Sequence, residues 1–218
     1  MATFFMWTAR LWRRSERFPW PARSDSHDSA FTTDQLDHSL SLTPARILIV
    51  MGVSSSGKSV VGKAIARRLH APFLDGDAYH PDANKDKMRA GVPLTDDDRW
   101  PWLSTLARAL HEAADSKGVA IGACSALKRS YRDYLVKQAG EPVLFVFLEG
   151  TQEVIAARMA ARVHEYMPAS LLASQFATLE VPGADENVVG IPIILTVEQI
   201  ADRAVKAVPH LKAFKRKQ

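Results

Sequence analysis

The sequence predicts a three-layer α/β domain in which helices cover both faces of a parallel β-sheet. From about residue 46 onward, short apolar runs alternate with segments in which apolar residues repeat at helical spacing. Strands of such a sheet are buried on both faces, so they read as continuous apolar runs. Polar motifs follow directly after several of these runs, at the carboxyl ends of the strands, where the sites of parallel sheets lie.

Strands and helices alternate regularly along the chain. A run of about four to eight apolar residues bounded by turn signals favours a buried strand, and apolar spacings of three and four favour a helix. The predicted strands are residues 47–50, 71–74, 119–121, 143–148 and 191–195. The predicted helices are residues 58–69, 103–114, 127–138, 151–162 and 197–208.

Composition and charge exclude several classes of protein. Hydrophobic residues make up 47% of the 218, too many for a disordered chain, and no apolar run approaches the roughly 20 residues that span a bilayer. The formal charge is +4, yet residues 46–211 carry nineteen basic and nineteen acidic side chains. A nucleic-acid enzyme more often has a basic face, so we expect neither nucleic acid nor membrane as a partner. Cys124 is the only cysteine, which excludes a disulfide framework, and we expect it to be a small buried residue.

The first 45 residues differ from the rest of the chain. Residues 1–23 are rich in Arg and Trp and contain one acid, Glu16. Arg-rich openings with few acids resemble organelle transit peptides. A poorly ordered extension, or translation from an early start codon, is the alternative that we favour. We therefore expect an extension over residues 1–45, a folded domain over residues 46–211 and a basic tail over residues 212–218.

The strongest motif follows the first predicted strand. Residues 52–59 read Gly-Val-Ser-Ser-Ser-Gly-Lys-Ser, which satisfies the eight-residue P-loop pattern. Such a loop turns its backbone N–H groups inward at a helix N-terminus, where partial positive charge favours phosphate. We expect Lys58 to be catalytic by reaching the β- and γ-phosphates of ATP, and Ser59 to ligate Mg²⁺. The predicted nucleotide-binding residues are Gly52, Val53, Ser54, Ser55, Ser56, Gly57, Lys58, Ser59 and Val60.

Two carboxylates follow the second predicted strand, in the sequence Asp75-Gly76-Asp77. Asp75 could orient Mg²⁺ through water, while Asp77 accepts the proton of a substrate hydroxyl. The alternative is an acidic turn that caps the next helix, which Asx-Gly sequences often form. Because a P-loop lies one strand away, we favour the functional interpretation, with Asp75 at the metal and Asp77 as the catalytic base.

Together with the P-loop, three long segments resemble the bacterial-type gluconokinases. Residues 73–103 read FLDGDAYHPDANKDKMRAGVPLTDDDRWPWL, residues 124–135 read CSALKRSYRDYL, and residues 167–180 read MPASLLASQFATLE. The segments occur in the family's order and span most of residues 46–195. The related shikimate kinases share the architecture but have different segments after the second strand.

The resemblance implies a P-loop domain like that of the nucleoside monophosphate kinases, with a lid. It implies transfer of a phosphoryl group from ATP, with Mg²⁺, to D-gluconate, and the product 6-phospho-D-gluconate feeds the pentose phosphate pathway. It further implies a cytoplasmic homodimer. A kinase of another small acid or polyol is one alternative. A nucleotide-binding regulatory module without enzyme activity is another, which the presence of Lys58, Ser59, Asp75 and Asp77 disfavours.

The resemblance also assigns the gluconate site, to the region that holds Asp77, His80, Lys87, Arg99, Lys128 and Arg132. A carboxylate substrate needs cationic partners, and the planar guanidinium of Arg99 or Arg132 matches a carboxylate in shape. For each charged residue taken alone, a solvated surface position is the commoner state. Arg99 ends an acidic run, in which we expect Asp97 or Asp98 to cap the following helix.

The phosphate loop and the expected lid, residues 163–190, each depart from the family pattern. The family usually has glycine where Ser55 stands, so backbone strain is expected there unless φ is negative. Its lid commonly reads Gly-His-Phe-Met-Pro, whereas His164 lies one position away from the matching histidine. Arg158 and Arg162 lie four apart on one helical face. We expect Arg158 to bind the nucleotide and Arg162 to be catalytic; a salt-bridged exposed face is the alternative.

Overall fold

The computed structural model describes residues 42–160 and 169–208, which form one parallel five-stranded sheet with helices on both faces. The strand order is β2-β3-β1-β4-β5. The strands are β1 Ile47–Met51, β2 Phe73–Asp75, β3 Ala120–Ala123, β4 Val143–Glu149 and β5 Val188–Pro192. Because β1 lies at the centre and pairs with β3 and β4, the loop that follows it opens in the middle of the sheet edge.

The side chains of β1 alternate between two hydrophobic cores, as the two-residue period of a strand requires. Leu48 and Val50 pack into the core beneath α1 (Lys58–Leu69) and α7 (Val197–Lys206). Ile47, Ile49 and Met51 face the opposite core, which is filled from α3 (Asp96–Lys117) and α4 (Arg129–Ala139). The arrangement confirms the predicted three-layer α/β fold.

Shorter elements lie around the carboxyl edge of the sheet. A 3-10 turn, Gly76–Tyr79, follows β2 and leads into α2, Asp82–Arg89. The last two helices are α5, Gln152–Ala160, and α6, Ala169–Thr178. Within the described ranges, the helices lack the combination of length and apolar composition that crossing a membrane requires. The P-loop sequence follows β1, the two carboxylates end or follow β2, and Cys124 follows β3, so the motifs meet at one edge.

Two elements differ from the sequence-based prediction. The predicted strand at residues 191–195 is wrong in position, because β5 is Val188–Pro192 and shares only residues 191 and 192 with the prediction. The expected lid, residues 163–190, contains α6, whose Leu172 is 2% exposed in the core. Leu172, Phe176 and Leu179 follow helical spacing, and this was the signal for the helix.

The described domain begins before Arg46. Ala45 is 2% exposed, and Leu42 packs against the same core. The backbone of Thr43 donates to and accepts from the side-chain amide of Asn187, both at 3.0 Å. These contacts tie residues 42–45 to the sheet. The remainder of the predicted extension, the basic tail, Arg162 and His164 lie outside the described residues.

Candidate active site

The phosphate loop, residues 52–57, connects β1 to α1 through backbone angles that favour glycine. Gly52 has a φ of 137° and Gly57 a φ of 101°. Gly57 occupies the N-cap of α1 and makes no side-chain capping bond, and the first turn of this helix contains no acidic residue. The N–H groups at this helix end are therefore not satisfied by a capping side chain, which is the arrangement that binds phosphate.

Ser55 adopts the left-handed conformation, with a φ of 61°. Backbone strain is expected at this position unless φ is negative. The observed φ is positive, so the backbone of Ser55 is strained. A residue with a Cβ pays about 1 kcal/mol or more in this region. Since such residues persist only where their surroundings hold them, the loop must be fixed by other contacts.

The amine of Lys58 lies over its own loop and donates to the carbonyl oxygen of Val53 at 2.9 Å. Burial lowers the pKa of Lys58, and the negative charges of Asp77 and Asp75 are among the effects that oppose this shift. Lys58 begins the helix after β1 and the carboxylate pair lies at the end of β2, so both belong to the carboxyl edge of the sheet. Cys124 is buried, as predicted, and burial raises the pKa of its thiol to about 12.

The Asp75-Gly76-Asp77 turn is fixed against the end of β3. Asp75 ends β2 and accepts a hydrogen bond from the backbone N–H of Asp77 at 3.3 Å. A Cβ at Gly76 would lie 2.4 Å from the carbonyl oxygen of Ala123, so only glycine fits. The turn thus does cap the 3-10 segment, and it also holds Asp77, an exposed residue, at the same sheet edge as the phosphate loop.

His80 is a buried histidine stacked on Trp102, with ring centroids 3.9 Å apart and an interplanar angle of 20°. Burial, followed by the charges of Arg99 and Lys85, lowers the pKa of His80 to about 4, so the imidazole is neutral near pH 7. The indole N–H of Trp102 donates to the carbonyl oxygen of Gly76 at 2.7 Å. One tryptophan therefore supports both the histidine and the acidic turn.

The start of α3 pairs its acids with lysines from neighbouring helices. The N-cap of this helix is Thr95 rather than Asp97 or Asp98, and Asp98 completes a capping box with it from the third helical position. Asp98 also accepts from Lys87 Nζ at 2.7 Å, and these contacts lower its pKa to about 2. Lys128 donates to both carboxylate oxygens of Asp96 at 2.9 Å.

Arg99 lies at the centre of this group, 3.8 Å from Asp96 and 5.6 Å from the ring of Tyr131. Lys87 and Lys128 thus both pair with acids in the first turn of α3, the turn that also carries Arg99. Sequence reasoning missed two supporting residues. Asn84 is buried and donates to the backbone carbonyl of Asp98 at 2.7 Å, and the hydroxyl of Tyr131 donates to Asp96.

Arg132 does not join these cations. Its side chain is 1% exposed, and it forms a two-point ion pair with Glu186, through Nε and through Nη2 at 2.9 Å. Its Nη1 donates to the carbonyl oxygens of Ala126 and Leu127 at 3.1 and 3.2 Å. The structure therefore places Arg132 beneath the loop that precedes α4, and the carboxylate that it binds is Glu186.

The C-terminal half of the domain contacts the phosphate loop at two points. Arg158 donates to the carbonyl oxygen of Ser56 at 3.5 Å and to that of Ile193, which puts this guanidinium beside the loop. The side-chain amide of Gln175 bonds to Ser54, a contact for which no local pattern in the sequence is a signal.

Taken together, a parallel 2-3-1-4-5 sheet, a P-loop after its central strand and a carboxylate pair after β2 define a P-loop kinase-like domain. A family model described as an AAA domain matches residues 47–182. The chain is 49% identical over 144 residues to a gluconokinase of Gluconobacter oxydans, covering 66% of this chain and 80% of that protein. It is 45% identical over 141 residues to the thermoresistant gluconokinase of Escherichia coli, covering 65% and 80%.

A solved structure agrees with these relatives. The crystal structure of a gluconokinase from Sinorhizobium meliloti superposes with a TM-score of 0.68 and 43% identity, covering 78% of this chain and 97% of that one. The chain belongs to the gluconokinase family.

Proposed function

We propose that this protein transfers the γ-phosphoryl group of ATP to D-gluconate, giving ADP and 6-phospho-D-gluconate. The observation that carries the proposal is that the phosphate loop, which follows β1, and Asp77, which follows β2, lie at the same carboxyl edge of the parallel sheet. Lys87, Arg99 and Lys128, which pair with acids of the first turn of α3, would line the acceptor side of the site. The named relatives support the same substrate.

On the donor side, residues 52–60 would hold the triphosphate of ATP. The start of α1, which no side chain caps, favours the anion. Lys58 would leave the Val53 carbonyl and neutralise charge that develops on the transferring group. Arg158, already at the loop, would bind the nucleotide, and Arg162 is proposed as the catalytic arginine nearer the lid.

The residues present also fit Mg²⁺, which prefers oxygen ligands and several retained waters. Ser59, in the first turn of α1, and Asp75, at the end of β2, would provide its protein oxygens, Asp75 through water. When bound, the ion neutralises charge on the phosphates.

On the acceptor side, Asp77 would accept the proton of the gluconate 6-hydroxyl as that oxygen attacks phosphorus. Arg99, Lys87 and Lys128 would bind the carboxylate, because a guanidinium and two ammonium groups complement it. His80 is neutral and can act as a hydrogen-bonding group toward a hydroxyl. Arg132 would serve the site indirectly, by holding the carbonyls of residues 126 and 127.

A coupled assay of ADP release tests the proposal over a panel of sugar acids, shikimate and neutral polyols. We expect gluconate to give the highest kcat/KM, and Lys58→Ala to be folded and nearly inactive. Turnover that is faster on shikimate or on a neutral polyol would contradict the assigned substrate. Near-normal turnover by a folded Lys58→Ala variant would contradict the assigned phosphate loop.

We further propose that the enzyme is a homodimer acting in the cytoplasm, on gluconate and ATP rather than on nucleic acid. The balanced charge of residues 46–211 supports partners other than nucleic acid. The single cysteine of the chain is consistent with a reducing compartment such as the cytoplasm. Analytical ultracentrifugation tests the dimer. Cell fractionation of the full chain tests the compartment and the alternative of organelle targeting by the Arg-rich N-terminus.

A further inference from the structure

The inference concerns one peptide unit of the phosphate loop, the one that joins Val53 to Ser54. Its carbonyl oxygen accepts from the amine of Lys58 at 2.9 Å. Its N–H donates to Oε1 of Gln175 at 2.7 Å. Because a peptide is planar and its two polar groups point in opposite directions, Lys58 and Gln175 hold it from opposite sides.

Gln175 makes a second bond to the same loop residue, from Nε2 to the hydroxyl oxygen of Ser54 at 2.9 Å. The orientation of the amide follows from this chemistry. The backbone N–H of Ser54 can only donate, so the carbonyl end of Gln175 must face it, and the amino end then faces the hydroxyl. The two contacts form a clasp, by which we mean this pair of bonds between Gln175 and Ser54.

The helix that carries Gln175 is anchored on both sides of it. Leu172 is buried in the core and Phe176 packs against that core. Beyond the helix, the backbone N–H of Glu180 donates to the Leu127 carbonyl at 2.9 Å, and its carboxylate accepts from the N–H of Arg129 at 2.6 Å. The clasp therefore extends from a fixed support.

We propose that Gln175 is a positioning residue for ATP, which keeps the Val53–Ser54 peptide oriented when Lys58 moves from the Val53 carbonyl to the phosphates. The loop needs such support because the next residue, Ser55, is held at a φ of 61°. Once Lys58 leaves, the Val53 carbonyl keeps a backbone bond from the N–H of Ser56 at 3.3 Å, and the clasp is the remaining side-chain contact described for this peptide. Without the clasp, the N–H of Ser54 loses its partner and this part of the phosphate loop is less firmly held.

The test compares Gln175→Ala and Gln175→Glu with the wild type and with a control, Thr178→Ala, in the full chain. Thr178 lies in the same helix, and its hydroxyl donates to the Ser174 carbonyl. ATP affinity is measured by titration calorimetry, KM and kcat by the coupled assay, and Tm by circular dichroism. The inference rests on the proposed use of ATP. A wild type that binds ATP but does not phosphorylate gluconate would refute the proposed function. The calorimetric comparison of the variants with the wild type would still decide the role of Gln175.

We expect Gln175→Ala to weaken ATP binding about tenfold, the effect of losing one to two net hydrogen bonds, with less change in KM for gluconate. Gln175→Glu should weaken it further, because the carboxylate adds negative charge near the phosphates. Thr178→Ala should bind ATP as the wild type does. Unchanged ATP affinity in Gln175→Ala, with or without a lower Tm, would overturn the proposal. Tighter ATP binding would also overturn it, since the clasp would then compete with phosphate.

A double-mutant cycle gives a second criterion. Ser54→Ala removes the hydroxyl that Gln175 binds and leaves the backbone N–H in place. If the clasp acts as a unit, adding Ser54→Ala to Gln175→Ala should change ATP affinity by less than twofold. If the double variant instead loses ATP affinity by the product of the two single-variant losses, Gln175 and Ser54 act independently, and the proposal is overturned.

Discussion

Replacing Arg132 with alanine separates a structural role from the substrate-binding role that the resemblance implies. The guanidinium is 1% exposed and its partner Glu186 is 8% exposed. The substitution leaves this buried carboxylate without its hydrogen-bonded cation and removes the donor from the carbonyls of residues 126 and 127. Breaking a buried pair by removing one partner costs about 3–5 kcal/mol, a large part of the roughly 5–15 kcal/mol that stabilises a domain.

Urea denaturation followed by circular dichroism measures this loss, with Arg129→Ala as a matched control. Arg129 lies three residues away in the same helix and pairs with Asp185 at 2.7 Å, but its side chain is 48% exposed. Solvent screens such a pair, so the control should unfold nearly as the wild type does. Arg132→Ala with unchanged stability and a raised KM for gluconate would refute the structural role and restore Arg132 to the substrate site.

The pH dependence of this loss has a definite sign. Burial alone would raise the pKa of Glu186, but the hydrogen bond from Arg132 and further contacts lower it below its ordinary value. A carboxyl group whose pKa is lower in the folded than in the unfolded protein stabilises the fold at pH values above its ordinary pKa. This stabilisation is lost as the pH falls through the pKa of the folded state. In Arg132→Ala, the strongest contact that lowers the pKa of Glu186 is lost while its burial remains, so this pKa should rise. The stability difference between the two proteins should therefore be large at neutral pH and shrink in acid.

Three further predictions follow from the site and the domain boundary. Asp77→Asn keeps an acceptor but cannot take a proton, so kcat should fall by about two to four decades in the coupled assay while calorimetric ATP affinity stays the same. Ser55→Gly removes left-handed strain, so urea denaturation should show equal stability or a gain of up to about 1 kcal/mol. Removing residues 1–41 should leave stability and activity intact. Removing residues 1–45 should lower the free energy of unfolding by about 1–3 kcal/mol, because it also deletes the buried Ala45 and the two hydrogen bonds between the backbone of Thr43 and Asn187.

Each of these has an opposite result that would count against it. Ordinary turnover in Asp77→Asn, with a shifted Mg²⁺ requirement, would mean that Asp75 and Asp77 have exchanged roles. A clear loss of stability in Ser55→Gly would show that the left-handed serine makes a compensating contact. Equal stability of the two truncated chains would place the boundary at Arg46, as the sequence predicts.

The phosphate loop could be predicted from the sequence because its parts are contiguous. Residues 52–59 lie between a strand and a helix that are themselves local patterns, and the structure places them as expected. The clasp could not be predicted, because it joins residues 121 positions apart. Likewise, the charge of Arg132 is evident from the sequence, but its burial is not. The buried guanidinium is paired with Glu186, which lies 54 residues away in the chain. Long-range pairing of polar side chains leaves no period in the sequence, whereas hydrophobic packing does.

The stack of Trp102 on His80 gives the protein an optical probe of the proposed gluconate site. The chain has five tryptophans, of which Trp100 and Trp102 lie in α3 and the other three lie within residues 1–41. In a chain that begins at residue 42, all tryptophan emission would come from α3. A protonated imidazole withdraws electrons from an excited indole, so the emission of Trp102 should fall as His80 titrates near pH 4. At neutral pH, the same emission would report gluconate binding without any added label.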